Sequence, residues 1–175
     1  MKSLCVYCGS KKGENPAFAE AARELGIAMA QNSIQLVYGG GKVGIMGVIA
    51  DAVLSEGGQV QGVIPQSLLE REVGHTGIQH LHVTHDMHSR KALLETLSDA
   101  FLVLPGGFGT LDELFEIVTW RQLGFHSKPI MILNVDGYFD PLIAFINNSI
   151  ENKFVVEENR SLIKIITTIE EALQF

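Results

Sequence analysis

AFLVLPGGFGTLDELFE, residues 100–116, combines a run of apolar residues, a glycine-rich turn and a helical pattern. Its first five residues have the length and composition of a strand buried on both faces of a parallel sheet. After the turn comes Thr110, a good helix N-cap, with Glu113 at the spacing of a capping box. Apolar residues then recur at helical spacing, so the stretch predicts a strand, a tight turn and a helix.

The turn between this strand and this helix predicts an anion site. Backbone N–H groups at a helix N-terminus lack intrahelical acceptors, and the positive end of the helix dipole lies there. Asp112 and Glu113 follow within about one helical turn, so a carboxylate should lie close to the anion. This combination indicates chemistry on a phosphorylated substrate, and not phosphate binding alone.

Strands and helices alternate along the chain. We expect strands at residues 4–8, 34–38, 60–64, 80–84, 100–104, 130–135 and 163–167, with helices between them. Asp86 is the expected N-cap of the helix after the fourth strand, and residues 66–77 are expected to form a short helix and a mobile loop. The pattern predicts one α/β domain over residues 1–175, a three-layer Rossmann-like fold with a central parallel sheet of about seven strands. Ligands bind such sheets beyond the carboxyl ends of the strands, near the point where the strand order reverses.

Composition and charge exclude several classes of protein. The 175 residues are 46% hydrophobic and 19% charged, which suits a globular domain with a sizeable core. The net charge of −7 and the scattered basic residues argue against a nucleic-acid surface. No apolar run approaches the roughly 20 residues of a membrane span, and we see no signal-peptide pattern, so we expect a cytoplasmic protein without membrane contact. Cys5 and Cys8 should point to opposite faces of the first strand as buried residues, and not form a redox pair.

A second glycine-rich loop follows the second expected strand. Residues 39–44, GGGKVG, match the dinucleotide-binding pattern G-x-G-x-x-G. The next strand lacks the terminal acid that would bind a ribose hydroxyl, which weakens the assignment to a dehydrogenase. The Walker A pattern fails too, because Leu36 replaces its first glycine and Val43 replaces its Ser or Thr. Two roles stay open for this loop: close packing of the next helix, or contact with a ligand.

Histidines and a basic pair flank the fourth expected strand. The histidines are His80, His82, His85 and His88. The first two share a strand face and the others lie at the turn into the helix, so one tight ligand set is awkward and we expect no metal. Arg90 and Lys91 fall at the same end of the sheet as the glycine turn, where a guanidinium can hold phosphate or ribose oxygens. The alternative for this pair is an exposed position on the helix.

Taken together, these motifs resemble those of the Lonely Guy family, the cytokinin-activating phosphoribohydrolases. Residues 105–113, PGGFGTLDE, resemble the family signature Pro-Gly-Gly-x-Gly-Thr-x-x-Glu, and residues 87–91, MHSRK, resemble its second motif. Residues 38–41, YGGG, resemble its first glycine loop, and the likeness covers most of the chain.

The resemblance implies cleavage of the N-glycosidic bond of a nucleoside 5′-monophosphate, AMP or an N6-modified AMP, to free base and ribose 5-phosphate. It implies that Arg90 and Glu113 are catalytic. The residues it implies in substrate contact are Glu72, Arg90, Lys91, Gly106, Gly107, Phe108, Gly109, Thr110, Leu111, Asp112, Glu113 and Thr119. It also implies a homodimer with the site near the subunit boundary. Relatives have been labelled lysine decarboxylases, but no motif argues for the pyridoxal phosphate such an enzyme needs, so we expect no cofactor.

The chemistry of the implied reaction fits these residues. A carboxylate such as Glu113 stabilises an oxocarbenium-like sugar directly or by activating water, while the amides of residues 106–110 hold the 5′-phosphate. Two alternatives remain, a non-catalytic carrier of a nucleotide-like group such as molybdenum cofactor and an NAD(P)-linked enzyme. A carrier has no chemical need for Glu113 and Arg90 together. The apolar residues Phe115, Trp120 and Phe125 fit either core or an interface.

Overall fold

In the computed structural model, which describes residues 1–69 and 74–174, seven parallel strands form one sheet in the order β4-β3-β2-β1-β5-β6-β7. The strands are β1 Ser3–Tyr7, β2 Gln35–Tyr38, β3 Val60–Pro65, β4 His80–Thr84, β5 Ala100–Val103, β6 Ile130–Leu133 and β7 Lys164–Ile166. The helices are α1 Pro16–Gln31, α2 Gly44–Ser55, α3 Gln66–Leu69, α4 Met87–Thr96, α5 Phe108–Gln122, α6 Asp140–Glu151 and α7 Ile169–Leu173. Short 3-10 turns lie at Val135–Gly137 and Glu157–Leu162. The predicted α/β class with a central parallel sheet is confirmed.

The strand order reverses at β1. This strand pairs with β2 on one side and with β5 on the other, so that Val6 lies between Tyr38 and Leu102. Every residue of β1 and β5 is buried, as expected for strands covered by helices on both faces. The crevice at their carboxyl ends is where a sheet of this topology binds ligands.

Alternate residues of β1 enter two separate cores. Leu4 and Val6 pack with residues of α1 and α2 on one face of the sheet. Cys5 and Tyr7 pack with residues of α4 and α5 on the other. Cys8 lies in the same core as Leu4, so the two thiols are on opposite faces, free and buried, as predicted. Burial raises the pKa of both thiols, which makes the thiolate form unfavourable.

The predicted start of α5 is wrong. The helix begins at Phe108, with Gly107 as its N-cap, so Thr110 lies inside the first turn. Gly107 has an extended backbone and carries no side chain to accept a hydrogen bond from the helix. Glu113 therefore has no capping role, and its carboxylate points elsewhere. By contrast, Asp86 caps α4 as predicted, because its carboxylate accepts a hydrogen bond of 2.7 Å from the Ser89 N–H.

None of the helices within the described residues combines the length and the apolar character needed to cross a bilayer.

The expected short helix after β3 is present as α3, and residues 70–73 of the expected loop lie outside the described residues. The strand boundaries agree with the predicted ones to within about two residues. Periodicity therefore located each of the strands and helices.

Candidate active site

A cavity of about 150 Å³ lies at the carboxyl ends of β1 and β2, beside the N-terminus of α5. Its lining comes from the end of β1, the loop after β2, α4 and the first turns of α5. The residues that line it are Val6, Cys8, Ser10, Gly39, Met46, Arg90, Gly107, Phe108, Gly109, Thr110 and Glu113. A second cavity of about 430 Å³ adjoins it across Gly107 and Phe108. The Phe108 side chain is 94% exposed and borders both cavities.

The first turn of α5 forms the anion cradle expected from the sequence. The N–H groups of Phe108, Gly109 and Thr110 have no intrahelical acceptors in this position, and the helix dipole adds positive potential there. Thr110 is buried and lines the cavity, and its Oγ1 lies close to Gly106, just before this turn. The cradle can therefore bind a phosphate through backbone amides and one hydroxyl.

Two hydrogen bonds and the close packing of Gly106 fix the loop that leads into this cradle. The Tyr138 hydroxyl donates a 2.6 Å hydrogen bond to the Gly106 carbonyl. The Gly9 N–H donates one of 3.1 Å to the Pro105 carbonyl. A side chain at Gly106 is impossible without movement, since an added Cβ would lie 2.1 Å from Oγ1 of Thr110. Sequence reasoning gave Tyr138 no role, because no local pattern signals a hydrogen bond that joins separate elements.

Arg90 is buried at the floor of the cavity, so the exposed alternative is wrong for this residue. Its Nε donates a 3.1 Å hydrogen bond to the carbonyl of Val63, within β3. Its Nη2 donates one of 3.4 Å to the carbonyl of Gly39, just after β2. The guanidinium thus keeps one orientation, and its remaining nitrogen, Nη1, lies 3.9 Å from the Met87 sulfur.

Glu113 lies opposite this nitrogen. Its Oε1 is 3.3 Å from Nη1 of Arg90, and the two side chains are 9% and 7% exposed. Besides burial, the negative charge of Glu113 contributes to the raised pKa of Cys5 and Cys8. A buried ion pair seldom adds much to stability, because desolvation offsets the attraction between the charges. The pair therefore points to chemistry in the cavity.

Lys91 points away from this cavity. Its Nζ lies 2.9 Å from Oδ2 of Asp112 and 3.2 Å from Oε2 of Glu116, and its side chain is 11% exposed. The lining of the cavity includes Arg90, its neighbour on α4, and not Lys91, among the described residues. Asp112 is correspondingly turned towards the lysine.

The other predicted site residues are spread along α5 or lie outside the described residues. Leu111 is partly buried and packs against the core on the α4 and α5 face of the sheet. Thr119 is nine residues beyond Thr110, about 13 Å along the helix, and its hydroxyl donates to the Phe115 carbonyl. Glu72 lies outside the described residues. The structure thus brings Arg90 and Glu113 together with the cradle, and their roles remain a proposal.

The loop after β2 serves packing and also borders the cavity. An added Cβ at Gly39 would lie 2.3 Å from Nη2 of Arg90, so only glycine leaves room for the guanidinium. Gly44 has a φ of 69° and packs against the backbone of Ser10. Ser10 and Met46 line the cavity although the sequence assigned neither of them a role. Ser10 follows β1 and Met46 lies in the first turn of α2, so both are at the rim where ligands bind. That position was the feature from which the sequence could have indicated them.

Within residues 1–69 and 74–174, no group of three or more His, Cys, Asp or Glu side chains is placed to hold a metal ion. His82 instead bonds to Oε1 of Gln61 on the adjacent strand, at 2.8 Å. The His85 ring is exposed and lies near the Asp86 carboxylate.

Known proteins related to this chain share most of its length. Residues 46–175 match the family described as possible lysine decarboxylase. The cytokinin riboside 5′-monophosphate phosphoribohydrolase LOG of Oryza sativa subsp. japonica is 45% identical over 170 residues, which are 97% of this chain and 70% of that protein. The cytokinin riboside 5′-monophosphate phosphoribohydrolase of Rhodococcoides fascians is 44% identical over 173 residues, 98% of this chain and 87% of that protein.

Similar solved structures include a molybdenum cofactor binding protein from Rippkaea orientalis. It has a TM-score of 0.73 and 19% identity, over 99% of this chain and 94% of that one. A Moco carrier protein from Chlamydomonas reinhardtii has a TM-score of 0.71, also with 19% identity, over 98% of this chain and 92% of that one. Likeness at this level of identity shows the shared fold alone.

Proposed function

The chain belongs to the family of cytokinin riboside 5′-monophosphate phosphoribohydrolases, and on that premise we propose that it hydrolyses a purine nucleoside 5′-monophosphate. The substrate is AMP or an N6-modified AMP, and the products are the free base and ribose 5-phosphate. The observation that supports this most directly is the buried pair of Arg90 and Glu113 beside an anion cradle. An enzyme that cleaves the sugar–base bond of a nucleotide can use a carboxylate beside an anion site, and Glu113 and the first turn of α5 line the same cavity.

In this reaction the 5′-phosphate binds at the first turn of α5. The amides of Phe108, Gly109 and Thr110 and the Thr110 hydroxyl are its donors, and the helix dipole favours the charge. Phosphate binding also supplies energy to the bond-breaking step, because it holds the sugar in the geometry that reacts. Nucleosides, which lack this group, should therefore be poor substrates.

Glu113 acts on the sugar. As the bond between C1′ and the base nitrogen breaks, positive charge develops on C1′ and the ring oxygen, and the carboxylate stabilises it. A water oxygen bonds to C1′ and gives one proton to the Glu113 carboxylate, which then releases it, so that the departing base nitrogen gains one proton and the carboxylate is restored. Water and nucleotide are converted to base and ribose 5-phosphate, so atoms and charge balance.

Arg90 is the cation of the site. Because the carbonyls of Val63 and Gly39 fix its guanidinium, Nη1 can hold the Glu113 carboxylate in place. The same guanidinium is close enough to orient ribose or phosphate oxygens in the cavity. A cavity of about 150 Å³ is smaller than a usual ligand pocket, so part of the nucleotide extends beyond it.

A non-catalytic carrier is the second candidate, since similar structures include molybdenum cofactor carriers. It is disfavoured by the Arg90–Glu113 pair, which binding alone does not require. Incubating the protein with AMP and measuring free adenine by chromatography separates the two. Adenosine is the matched control, and we expect its cleavage to be slower by orders of magnitude. Adenosine cleaved as fast as AMP would contradict phosphate recognition, and bound but intact AMP would favour the carrier.

Several further expectations belong to this proposal. A panel of nucleoside monophosphates, with and without N6 substituents, would identify the preferred base. The substrate contacts of Glu72, Lys91 and Thr119, the single-domain boundaries, the homodimer and the cytoplasmic location all remain predictions.

A further inference from the structure

The Tyr138 hydroxyl bonds to the loop that leads into the anion cradle, although the two partners are 32 positions apart in the chain. It donates a 2.6 Å hydrogen bond to the carbonyl of Gly106, two residues before α5 begins. This carbonyl belongs to the peptide group that joins Gly106 to Gly107, the N-cap of the helix. The bond therefore acts on the peptide group directly in front of the cradle amides of residues 108–110.

A peptide group between two glycines is the part of this loop that rotates most easily. Neither Gly106 nor Gly107 has a Cβ, so the steric limits on φ and ψ are weak on both sides of the peptide. Even a Cβ added at Gly107 would meet nothing within 4 Å, so packing does not restrain this residue. The Gly9 N–H fixes only the preceding carbonyl, that of Pro105. The Tyr138 hydroxyl thus supplies the bond that holds the Gly106–Gly107 peptide in one orientation.

This orientation determines where the Gly107 N–H points. The described part of the chain contains no cis peptide bond, and in a trans peptide the N–H points away from the C=O. Because the Gly106 carbonyl faces Tyr138, the Gly107 N–H is directed to the opposite side of the loop. Among the described residues, Tyr138 lines the cavity of about 430 Å³ and not that of about 150 Å³, whereas Gly107 lines both. The side opposite Tyr138 is therefore the side of the smaller cavity, which Arg90 and Glu113 line.

Tyr138 is itself held in place by its neighbours. Its ring packs edge-on against Phe18, at 5.1 Å between ring centroids, and against Phe139, at 4.9 Å. Phe139 is buried in the core, and its N–H donates a 2.8 Å hydrogen bond to Oδ1 of Asn134. A side chain locked by packing in this way can present its hydroxyl at a fixed position.

We propose that Tyr138 is a positioning residue, which orients the Gly106–Gly107 peptide so that the Gly107 N–H joins the donors to the substrate phosphate. Tyr138 itself does not contact the substrate. Without its hydrogen bond the peptide can turn over, and the Gly106 carbonyl oxygen would then face the phosphate and repel it. This inference rests on the proposed hydrolysis of a nucleoside 5′-monophosphate, whose phosphate the cradle binds.

Tyr138→Phe tests this role, because it removes the hydroxyl and keeps the ring with its contacts to Phe18 and Phe139. The inhibition constants of the two products, ribose 5-phosphate and adenine, are measured against AMP hydrolysis. We expect the constant of ribose 5-phosphate to rise about tenfold, since a hydrogen bond to a charged group contributes about this factor to affinity. The constant of adenine, which has no phosphate, should change by less than about twofold. The KM for AMP should rise with that of ribose 5-phosphate.

Tyr38→Phe is the matched control. Within the described part of the chain, the Tyr38 hydroxyl is buried without a hydrogen-bond partner, so its removal should leave kcat, KM and both inhibition constants unchanged. An unchanged constant for ribose 5-phosphate in Tyr138→Phe would overturn the proposal. Equal weakening of ribose 5-phosphate and adenine would also overturn it, because the loss would then not be specific to the phosphate.

The melting temperature separates positioning from a role in the fold. Tyr138 is 41% exposed, and one such hydrogen bond contributes little to the free energy of unfolding, so Tyr138→Phe should lower the melting temperature by no more than about 6 °C. A larger fall would assign the hydroxyl to the fold and overturn the proposal.

The proposed function and the role of Tyr138 can fail separately. Release of no base from AMP by the unchanged protein would contradict the proposed function, and calorimetry with ribose 5-phosphate would still test Tyr138. An active protein in which Tyr138→Phe binds ribose 5-phosphate as tightly as the unchanged chain would contradict only the positioning role.

Discussion

Nη1 of Arg90 lies 3.3 Å from Oε1 of Glu113, and more than nine-tenths of each side chain is buried. The pair joins α4 to α5 beside the anion cradle, although the two helices rest on different strands. The free energy needed to take both charges out of water is about as large as the favourable free energy of their attraction. Their burial is therefore better explained by catalysis than by stability.

Glu113→Gln should abolish turnover while AMP still binds. The amide keeps the size of the side chain but removes the charge that stabilises the developing cation, so we expect kcat to fall by roughly 10²- to 10⁴-fold. Calorimetry should show an AMP affinity close to that of the unchanged protein. Glu151→Gln, at the end of α6, is the control and should have no effect. Substantial turnover by Glu113→Gln would rule out the catalytic role.

Gly106→Ala and Gly107→Ala form a matched pair in the cradle loop. A Cβ at Gly106 would lie 2.1 Å from Oγ1 of Thr110, so this change should destabilise the fold by about 1–3 kcal/mol. A Cβ at Gly107 meets nothing within 4 Å, so the melting temperature should not change. If a phosphate approaches these amides closely, Gly107→Ala should still raise the KM for AMP about tenfold, or 1.4 kcal/mol. Unchanged kinetics for Gly107→Ala would place the phosphate elsewhere.

The N-cap of α4 should make stability depend on pH. Hydrogen bonds from Ser89 lower the pKa of Asp86 to about 2, from an ordinary 3.8. A lowered pKa means that the charged cap stabilises the folded chain above about pH 4, and that this contribution is lost as the pH falls towards 2. Denaturant unfolding from pH 7 to pH 2 should show the difference between the unchanged protein and Asp86→Ala shrinking over that window. Asp86→Asn, which keeps an oxygen acceptor, should differ less from the unchanged protein, and this smaller difference should change over the same window because only Asp86 titrates. A constant Asp86→Ala difference down to pH 2 would argue against the charged cap.

Apolar side chains at and beyond the end of α5 should form the subunit boundary. Leu123 is 60% exposed and Phe125 72%, and Phe115 is also exposed on the same helix. Apolar groups this close together seldom face water in a monomer. Phe125→Asp should therefore shift the protein from dimer to monomer in light scattering, whereas Phe154→Asp, at a still more exposed phenylalanine beyond α6, should not. An unchanged protein that is already monomeric would contradict the interface.

The sequence predicted the features that depend on contacts between near neighbours in the chain. It did not predict contacts between distant residues. Apolar periodicity placed the helices and strands, and Asp86 was identified as a cap because its partner is three residues away. Thr110 was misassigned because a glycine without a side chain starts the helix earlier than the pattern of good caps suggests. The bonds of Lys91 to α5 and of Tyr138 to Gly106 join distant parts of the chain, and no local rule predicts them.

The carbonyls of Val63 and Gly39 hold the Arg90 guanidinium before any nucleotide arrives. An arginine side chain has about 2 kcal/mol of rotamer entropy to lose when it is ordered. Here that loss occurs when the chain folds, so the substrate does not have to offset it on binding. The site is thus preorganised, and more of the phosphate's binding energy remains for the transition state.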